Sequence, residues 1–257
     1  MWSWGCFKND VDEYCIKEIF LKMGRLKFIV ARYDNDSFDG FLSESIQKYP
    51  HVFIKNDVAS SIFDKYNLGV RYWKENGLQD NDVVVFIHAD VKILDEDFEE
   101  KILYAFEKIP RLGVAGVIGS SEITENGGWW LSNPNSHKGE IVQWTEDGKS
   151  KFLMTKKKGN YHSLAGVDGL ALFVMGHVAR DLPFDSASYP ESYDFYDLDY
   201  CLSVLSHGYK VAVLDIALEH KSAGTGVYKD SWKINKDRFI QKWKTAGVIF
   251  PFQVKEV

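Results

Sequence analysis

The sequence predicts an α/β protein with a mostly parallel central sheet flanked by helices and α+β decoration beyond it. Three observations carry that expectation. Between residues 26 and 120, β-like apolar runs alternate with segments of helical period, the pattern of a parallel sheet covered on both faces. One run, DVVVFIHAD at 82 to 90, is apolar through VVVFI and then stops on His88-Ala89-Asp90, and in open α/β sheets ligands gather at the carboxyl ends of the strands. After residue 120 the alternation gives way to a Gly-rich loop, a hairpin signal and scattered shorter elements.

The elements follow in order. A polar, helix-compatible opening leads to LKFIVARY (26 to 33), a buried strand, and SFDGFLSESIQKY (37 to 49), an amphipathic helix with Ser37 as candidate cap. HVFIK (51 to 55) is short and β-like. SSIFDKYNLGVRYWKENG (60 to 77) is helical in period and ends at Asn76-Gly77. After the HAD strand, Asp95 is positioned to cap DEDFEEKILYAFEKI, whose acidic first turn suits the positive end of the helix dipole. LGVAGVIGS (112 to 120) closes this series. Then ENGGWWLSNPNSHKG (125 to 139) reads as loop, and Asp147-Gly148 lies between two β-like runs as a hairpin turn. VDGLALFVMGH (167 to 177) is a buried strand, YDLDYCLSVLSHG (196 to 208) a helix ending at Gly208, YKVAVLD (209 to 215) a strand and SWKINKDRFIQKWKT (231 to 245) a helix. No repeat or linker divides the 257 residues, so a single domain over 1–257 is expected.

Bulk properties narrow the function classes. The formal net charge is -6 and the basic residues are scattered, which disfavours tracking along nucleic acid. Three cysteines without CxxC spacing indicate neither a disulfide framework nor a zinc knuckle. With no signal-peptide pattern and no apolar run near the ~20 residues of a membrane span, a soluble, cytoplasmic protein is expected. The first strand is followed by DNDSFDG rather than a Gly-rich phosphate turn, and GKS or GKT is absent, so dinucleotide oxidoreductases and P-loop enzymes are disfavoured.

The chemistry concentrates at a few positions. Residues i and i+2 of a strand face one side, so His88 and Asp90 can reach one ligand. Taken alone, HxD fits a strand end with a core histidine as well as a hard-cation site holding a diphosphate. What joins them is the series FIVARYDN (28 to 35), Asn67-Leu68-Gly69, His88-Ala89-Asp90, Val167-Asp168-Gly169, FYDLDYCLSVLSHGYKV (195 to 211) and LEHKSAGTG (218 to 226). In this order the series resembles the GT-A nucleotide-sugar glycosyltransferases of the family 2 type, in particular their streptomycin-biosynthesis-protein-like branch, over about residues 26 to 222.

That resemblance implies a Rossmann-like GT-A fold with a nucleotide-binding half (1–120), an acceptor and catalytic half (121–228) and a C-terminal helical tail (229–257). It implies a hexosyl- or pentosyltransferase moving a sugar from a nucleoside-diphosphate donor, UDP before GDP, to an acceptor hydroxyl with inversion. A divalent metal, Mn2+ or Mg2+, would be held by Asp90 with His88 and His220, and a loop-borne surface histidine is the alternative for His220. Asp197 would be the base that takes the acceptor proton, although an acid in a first helical turn is also favoured by the dipole alone. Arg32, Tyr33, Asp34, Asp57, Asn67 and Ala89 would contact the nucleotide, with a sheet-edge ion pair the alternative for Arg32 and a surface position for Asn67. Trp129, Trp130, Asp168, Gly169 and Asp199 would face sugar or acceptor, the tryptophans alternatively a protein partner.

The chain departs from the pattern at His88, in place of the first acid of DxD, at Tyr196, in place of the acid before Asp197, and at Ser203, where an arginine is common. These departures leave a nucleotide-binding module without turnover as the runner-up. A metal-dependent hydrolase is less favoured, since no HxH, HExxH or second ligand cluster is present.

Overall fold

In the computed structural model, which describes residues 24–32, 39–55, 58–59, 61–145, 147–148, 150–190, 193–221 and 230–254, the apolar run LKFIVA forms β1 (Leu26–Ala31). It is followed by α1 (Asp39–Ile46), β2 (His51–Ile54), α2 (Ile62–Glu75), β3 (Val83–His88), β4 (Val91–Ile93), α3 (Phe98–Lys108), β5 (Leu112–Gly116), β6 (Ile118–Ser120) and β7 (Glu122–Ile123). The second half contributes β8 (His137–Trp144), β9 (Lys151–Lys157), β10 (Tyr161–His162), β11 (Gly166–Val167), β12 (Ala171–Met175), α4 (Gly176–Asp181), α5 (Tyr196–Ser206), β13 (Lys210–Val213), β14 (Leu218–His220), α6 (Asp230–Thr245) and β15 (Phe252–Gln253). No helix among the described residues is long and apolar enough to cross a membrane.

The main sheet runs β10-β13-β5-β12-β3-β1-β2. It is mostly parallel, with β2, β1, β3, β5 and β13 running in one direction and β12 and β10 reversed. β2, β1 and β3 are parallel neighbours, as are β5 and β13, but β12 runs antiparallel to both β3 and β5 and β10 antiparallel to β13. The apolar run of β12 is buried on both faces, and such a run has the same composition in either direction. A second sheet, β11-β6-β8-β14-β4 with β9 on β8, is joined to the end of β3 by the short turn into β4. Its strand β4 is only three residues long and pairs antiparallel with β14, placing His220 opposite Val91.

The starts of α2 and α3 differ. Ser61 caps α2, its hydroxyl accepting from the Asp64 N–H at 3.1 Å, the geometry that satisfies an otherwise orphaned helix donor. Asp95 does not cap α3. The cap position is Asp97, without a side-chain cap bond, while Asp95 accepts from the Asp97 N–H at 3.1 Å and pairs with Lys101. The turn into β4 and out again displaces the helix start. Ser37 lies outside the described residues.

The Asn67-Leu68-Gly69 segment packs α2 into the fold. A Cβ on Gly69 would stand 2.3 Å from the Ile29 side chain, so only glycine lets α2 lie this close to β1. The Asn67 side chain donates to the Phe184 carbonyl at 2.8 Å and accepts from the Phe184 N–H at 2.9 Å. Its amide is thus engaged by main chain, contrary to the nucleotide contact expected of it. Asn67→Ala leaves two main-chain groups without these partners, and a stability loss of about 1–3 kcal/mol is expected with unchanged donor affinity. Urea denaturation and donor titration check the two halves of that statement.

Candidate active site

Strand β3 ends at His88, and the chain turns through Ala89 and Asp90 into β4. Because β4 pairs with β14, His220 is brought across to Asp90, and the Lys221 N–H donates to the Asp90 carbonyl at 2.9 Å. The Nδ1 of His88 lies 3.9 Å and the Nε2 of His220 3.5 Å from the same Asp90 Oδ1. Each of the three side chains offers a ligand atom, all within 4.8 Å of one another. Side-chain exposures of 12% to 18% leave them largely desolvated yet reachable.

The donor chemistry fits a divalent cation. Asp90 Oδ1 and His220 Nε2 are buried and make no hydrogen bond; at 3.5 Å their mutual approach satisfies neither atom. Buried polar atoms are almost always partnered, so two orphans facing each other beside an imidazole nitrogen match the needs of an ion bound by nitrogen and oxygen ligands. His220 is oriented by Gln143, whose Oε1 lies 3.1 Å from His220 Nδ1. When that Nδ1 carries the proton, Nε2 turns its lone pair to Asp90, the arrangement typical of a metal-binding histidine. Gln143 is the cross-strand neighbour of His220 in the parallel pairing of β8 and β14.

Electrostatics favour the ligand forms of His88 and Asp90, while His220 is drawn toward the protonated form by Asp90. Burial pushes the His88 pKa down and the neighbouring His220 adds to this, with Asp90 opposing, so the imidazole stays neutral. Burial acts against ionisation of Asp90, yet the two imidazoles outweigh it and hold the carboxyl below its usual range. For His220, burial acts against the charged form but the adjacent Asp90 prevails and raises its pKa.

A second pair of carboxylates stands beside this cluster. The turn between β11 and β12 carries Asp168, Gly169 and Leu170. The Leu170 carbonyl accepts from the His88 N–H at 3.0 Å, and the Gly169 N–H donates to Asp197 Oδ2 at 2.9 Å. Asp197, in the first turn of α5, also accepts from the Leu198 N–H at 2.8 Å. Burial, followed by the negative charge of Asp168, raises the Asp197 pKa to about 7. The Asp168 charge also acts on His88 and His220, so one carboxylate influences both groups of residues. Strongly perturbed carboxylates of this kind are enriched at functional sites. Phe195, just before α5, has φ 67°, a left-handed backbone unusual for a bulky residue. Its ring is stacked on Phe239 of α6 at 5.2 Å.

A family model described as "Glycosyltransferase like family" matches residues 44–248. The chain belongs to this family. Among solved structures, A197 from STIV is similar, with TM-score 0.44, 13% identity, and coverage of 77% of this chain and 85% of that one. So is GalNAc-T7 with UDP, GalNAc and Mn2+, with TM-score 0.48, 8% identity, and coverage of 87% of this chain and 49% of that one. This chain therefore spans about half the length of the latter. No curated protein matches the sequence.

The remaining expectations for this glycosyltransferase-like chain distribute unevenly. His88, Ala89, Asp90 and His220 converge, and the adjoining turn at Asp168 and Gly169 is bonded to Asp197 of α5. Trp129 does not face a sugar: it is buried, and its indole N–H donates to Asp168 Oδ2 at 2.8 Å, fixing that carboxylate. Trp130 remains 36% exposed, edge-on to Trp129. Asp199 points away from the site because residues two apart on a helix diverge in direction. Its carboxylate accepts from Tyr189 at 2.9 Å and from Trp243 and Lys242 at 2.8 Å each, tying α6 to α5. Arg32 follows β1, its N–H bonded to the Ile54 carbonyl and its carbonyl to the buried Lys65 ammonium, both at 2.9 Å. Tyr33, Asp34 and Asp57 lie outside the described residues.

Gln143, which holds His220, is not among the expected site residues, and Tyr196 is expected only as a departure from the pattern. Gln143 had a readable signal. It occupies the inward phase of β8, two residues after buried Ile141 and four after buried Gly139, a polar side chain where the alternation calls for an apolar one.

Proposed function

We propose that the chain transfers a sugar from a nucleoside-diphosphate sugar, UDP-linked in preference to GDP-linked, to an acceptor hydroxyl by a single inverting displacement assisted by a divalent cation. The observation that carries the proposal is the His88–Asp90–His220 cluster with two orphaned ligand atoms, adjoining a carboxylate whose pKa is raised to about 7. When bound, the cation supplies positive charge against the negative charge that develops on a departing diphosphate. The protein's own groups do the rest. Asp90, ionised, and the imidazoles of His88 and His220 form the binding set, and the main chain of the 168–170 turn fixes Asp197.

Asp197 accepts the proton of the attacking hydroxyl. A carboxylate with a pKa near the working pH is ionised often enough to act and basic enough to hold the proton. The hydrogen bonds from Gly169 and Leu198 steady its two oxygens, and Asp168, held by Trp129 and by the Leu170 N–H at 3.0 Å, keeps its proton affinity high.

The test is a thermal-shift panel of UDP-, GDP-, CDP- and dTDP-sugars, each with and without Mn2+. One donor class is expected to raise the melting temperature only with the metal. At about 100 times the dissociation constant the stabilisation is about 2.7 kcal/mol, or about 5–10 °C for a chain of this size. A flat response to every donor at saturating metal would remove the proposal.

A further inference from the structure

The two acid positions at which this sequence departs from the pattern it resembles are in contact. His88 Nε2 and the Tyr196 hydroxyl are 2.6 Å apart, 108 residues distant in sequence. This bond joins His88, the candidate ligand at the end of β3, to the first residue of α5, which carries Asp197 one position later.

The surroundings leave Tyr196 little freedom. It is buried, with its ring among Phe63, Tyr66 and Phe184 at centroid distances of 6.2, 5.6 and 6.4 Å. On another side stands Gly169, where a Cβ would come within 2.1 Å of the hydroxyl oxygen. The glycine of the 168–170 turn therefore makes the room this tyrosine occupies. An aromatic cage that sets the ring and a glycine that clears the oxygen together aim the hydroxyl at His88.

A neutral imidazole carries one proton, and the nitrogen that carries it is set by the partner of the other nitrogen. We propose that Tyr196 is a positioning residue of the cation site: its hydroxyl oxygen accepts from His88 Nε2–H, which turns the lone pair of Nδ1 toward Asp90 Oδ1 and the cation. The inference rests on the reading of His88, Asp90 and His220 as a cation site, but not on sugar transfer. It gives the two imidazoles matching supports, Gln143 behind His220 and Tyr196 behind His88. Groups of this kind behind a metal-binding histidine contribute about 10–100-fold in metal affinity.

The experiment is a calorimetric titration of Mn2+ into the full chain, without donor, for wild type, Tyr196→Phe, His88→Ala and the double variant. Tyr196→Phe deletes one oxygen and is expected to weaken Mn2+ binding about 10–100-fold. If it acts through His88, the same change made in the His88→Ala background has an effect below about 2-fold, since the partner is already gone. Wild-type affinity in Tyr196→Phe, an equal loss in both backgrounds, or no Mn2+ binding by the wild-type chain would each overturn the inference. Should the variant fail to fold, nitrogen NMR of the His88 ring in the wild type decides: a proton on Nε2 is expected, and one on Nδ1 overturns the assignment. Intact Mn2+ binding with this coupling but no sugar transfer counts against the proposed function alone.

Discussion

Asp197→Asn is expected to lower the transfer rate about 10²–10⁴-fold, the usual contribution of a general base, while donor affinity measured by titration stays near wild type. The carboxylate differs from an ordinary helix cap. A cap gains by being ionised beside the helix N-terminus, and its pKa would be expected to fall. Asp197 has two main-chain N–H donors that favour ionisation, yet burial and the charge of Asp168 outweigh them and raise the pKa to about 7. That balance gives no benefit to the helix and suits a group that must hold a proton. The sign of the pH dependence follows. Below about pH 7 the carboxyl is protonated and cannot accept, so kcat/KM is expected to rise through this range and level off above it. Asp168→Asn removes the like charge and is expected to move the limb to lower pH. A rate profile flat from pH 5.5 to 8 in the wild type, or a limb untouched by Asp168→Asn, would sink the role given to Asp197.

Much of this arrangement is legible in the sequence, and the limits have physical causes. The βα alternation and the HAD terminus of β3 are local patterns, so they could be read from residue order. The direction of β12 could not, because a strand buried on both faces looks alike parallel or antiparallel. The meeting of Asp90 and His220 depends on β4, three residues with only Val91 buried, pairing across the chain to β14. Nothing in a segment of that length announces a strand. Tyr196 read as a departure that weakened the family pattern. Its partner, His88, is another departure, and only the fold shows them bonded. Trp129 illustrates the opposite error. A tryptophan in a Gly-rich loop suggests an exposed platform, but here the indole is buried and donates to Asp168. Asn67 was placed near the nucleotide by analogy, whereas Gly69, two positions on, shows by its contact with Ile29 that this segment is needed for helix packing.

The other large effect is expected at Asp90. Asp90→Ala should abolish the Mn2+-dependent part of donor binding, so the wild-type thermal shift of about 5–10 °C at 100 times the dissociation constant falls to near zero, while the unliganded melting temperature changes by only a few degrees. The asymmetry comes from the state of Asp90 Oδ1, which is buried with no hydrogen bond. The imidazoles outweigh the burial cost of the Asp90 charge and hold its pKa below the usual range, so deleting it removes that cost together with a somewhat larger attraction, and the net loss of stability is small beside the loss of metal-dependent binding. The same atom lies 3.5 Å from His220 Nε2 and 3.9 Å from His88 Nδ1, so without it two imidazoles face a cation with no anionic ligand between them. Asp90→Asn, which keeps the shape and removes the charge, should behave as Asp90→Ala does in the metal titration. If Asp90→Asn instead binds Mn2+ like the wild type, the carboxylate is a structural strand end and the cation lies elsewhere.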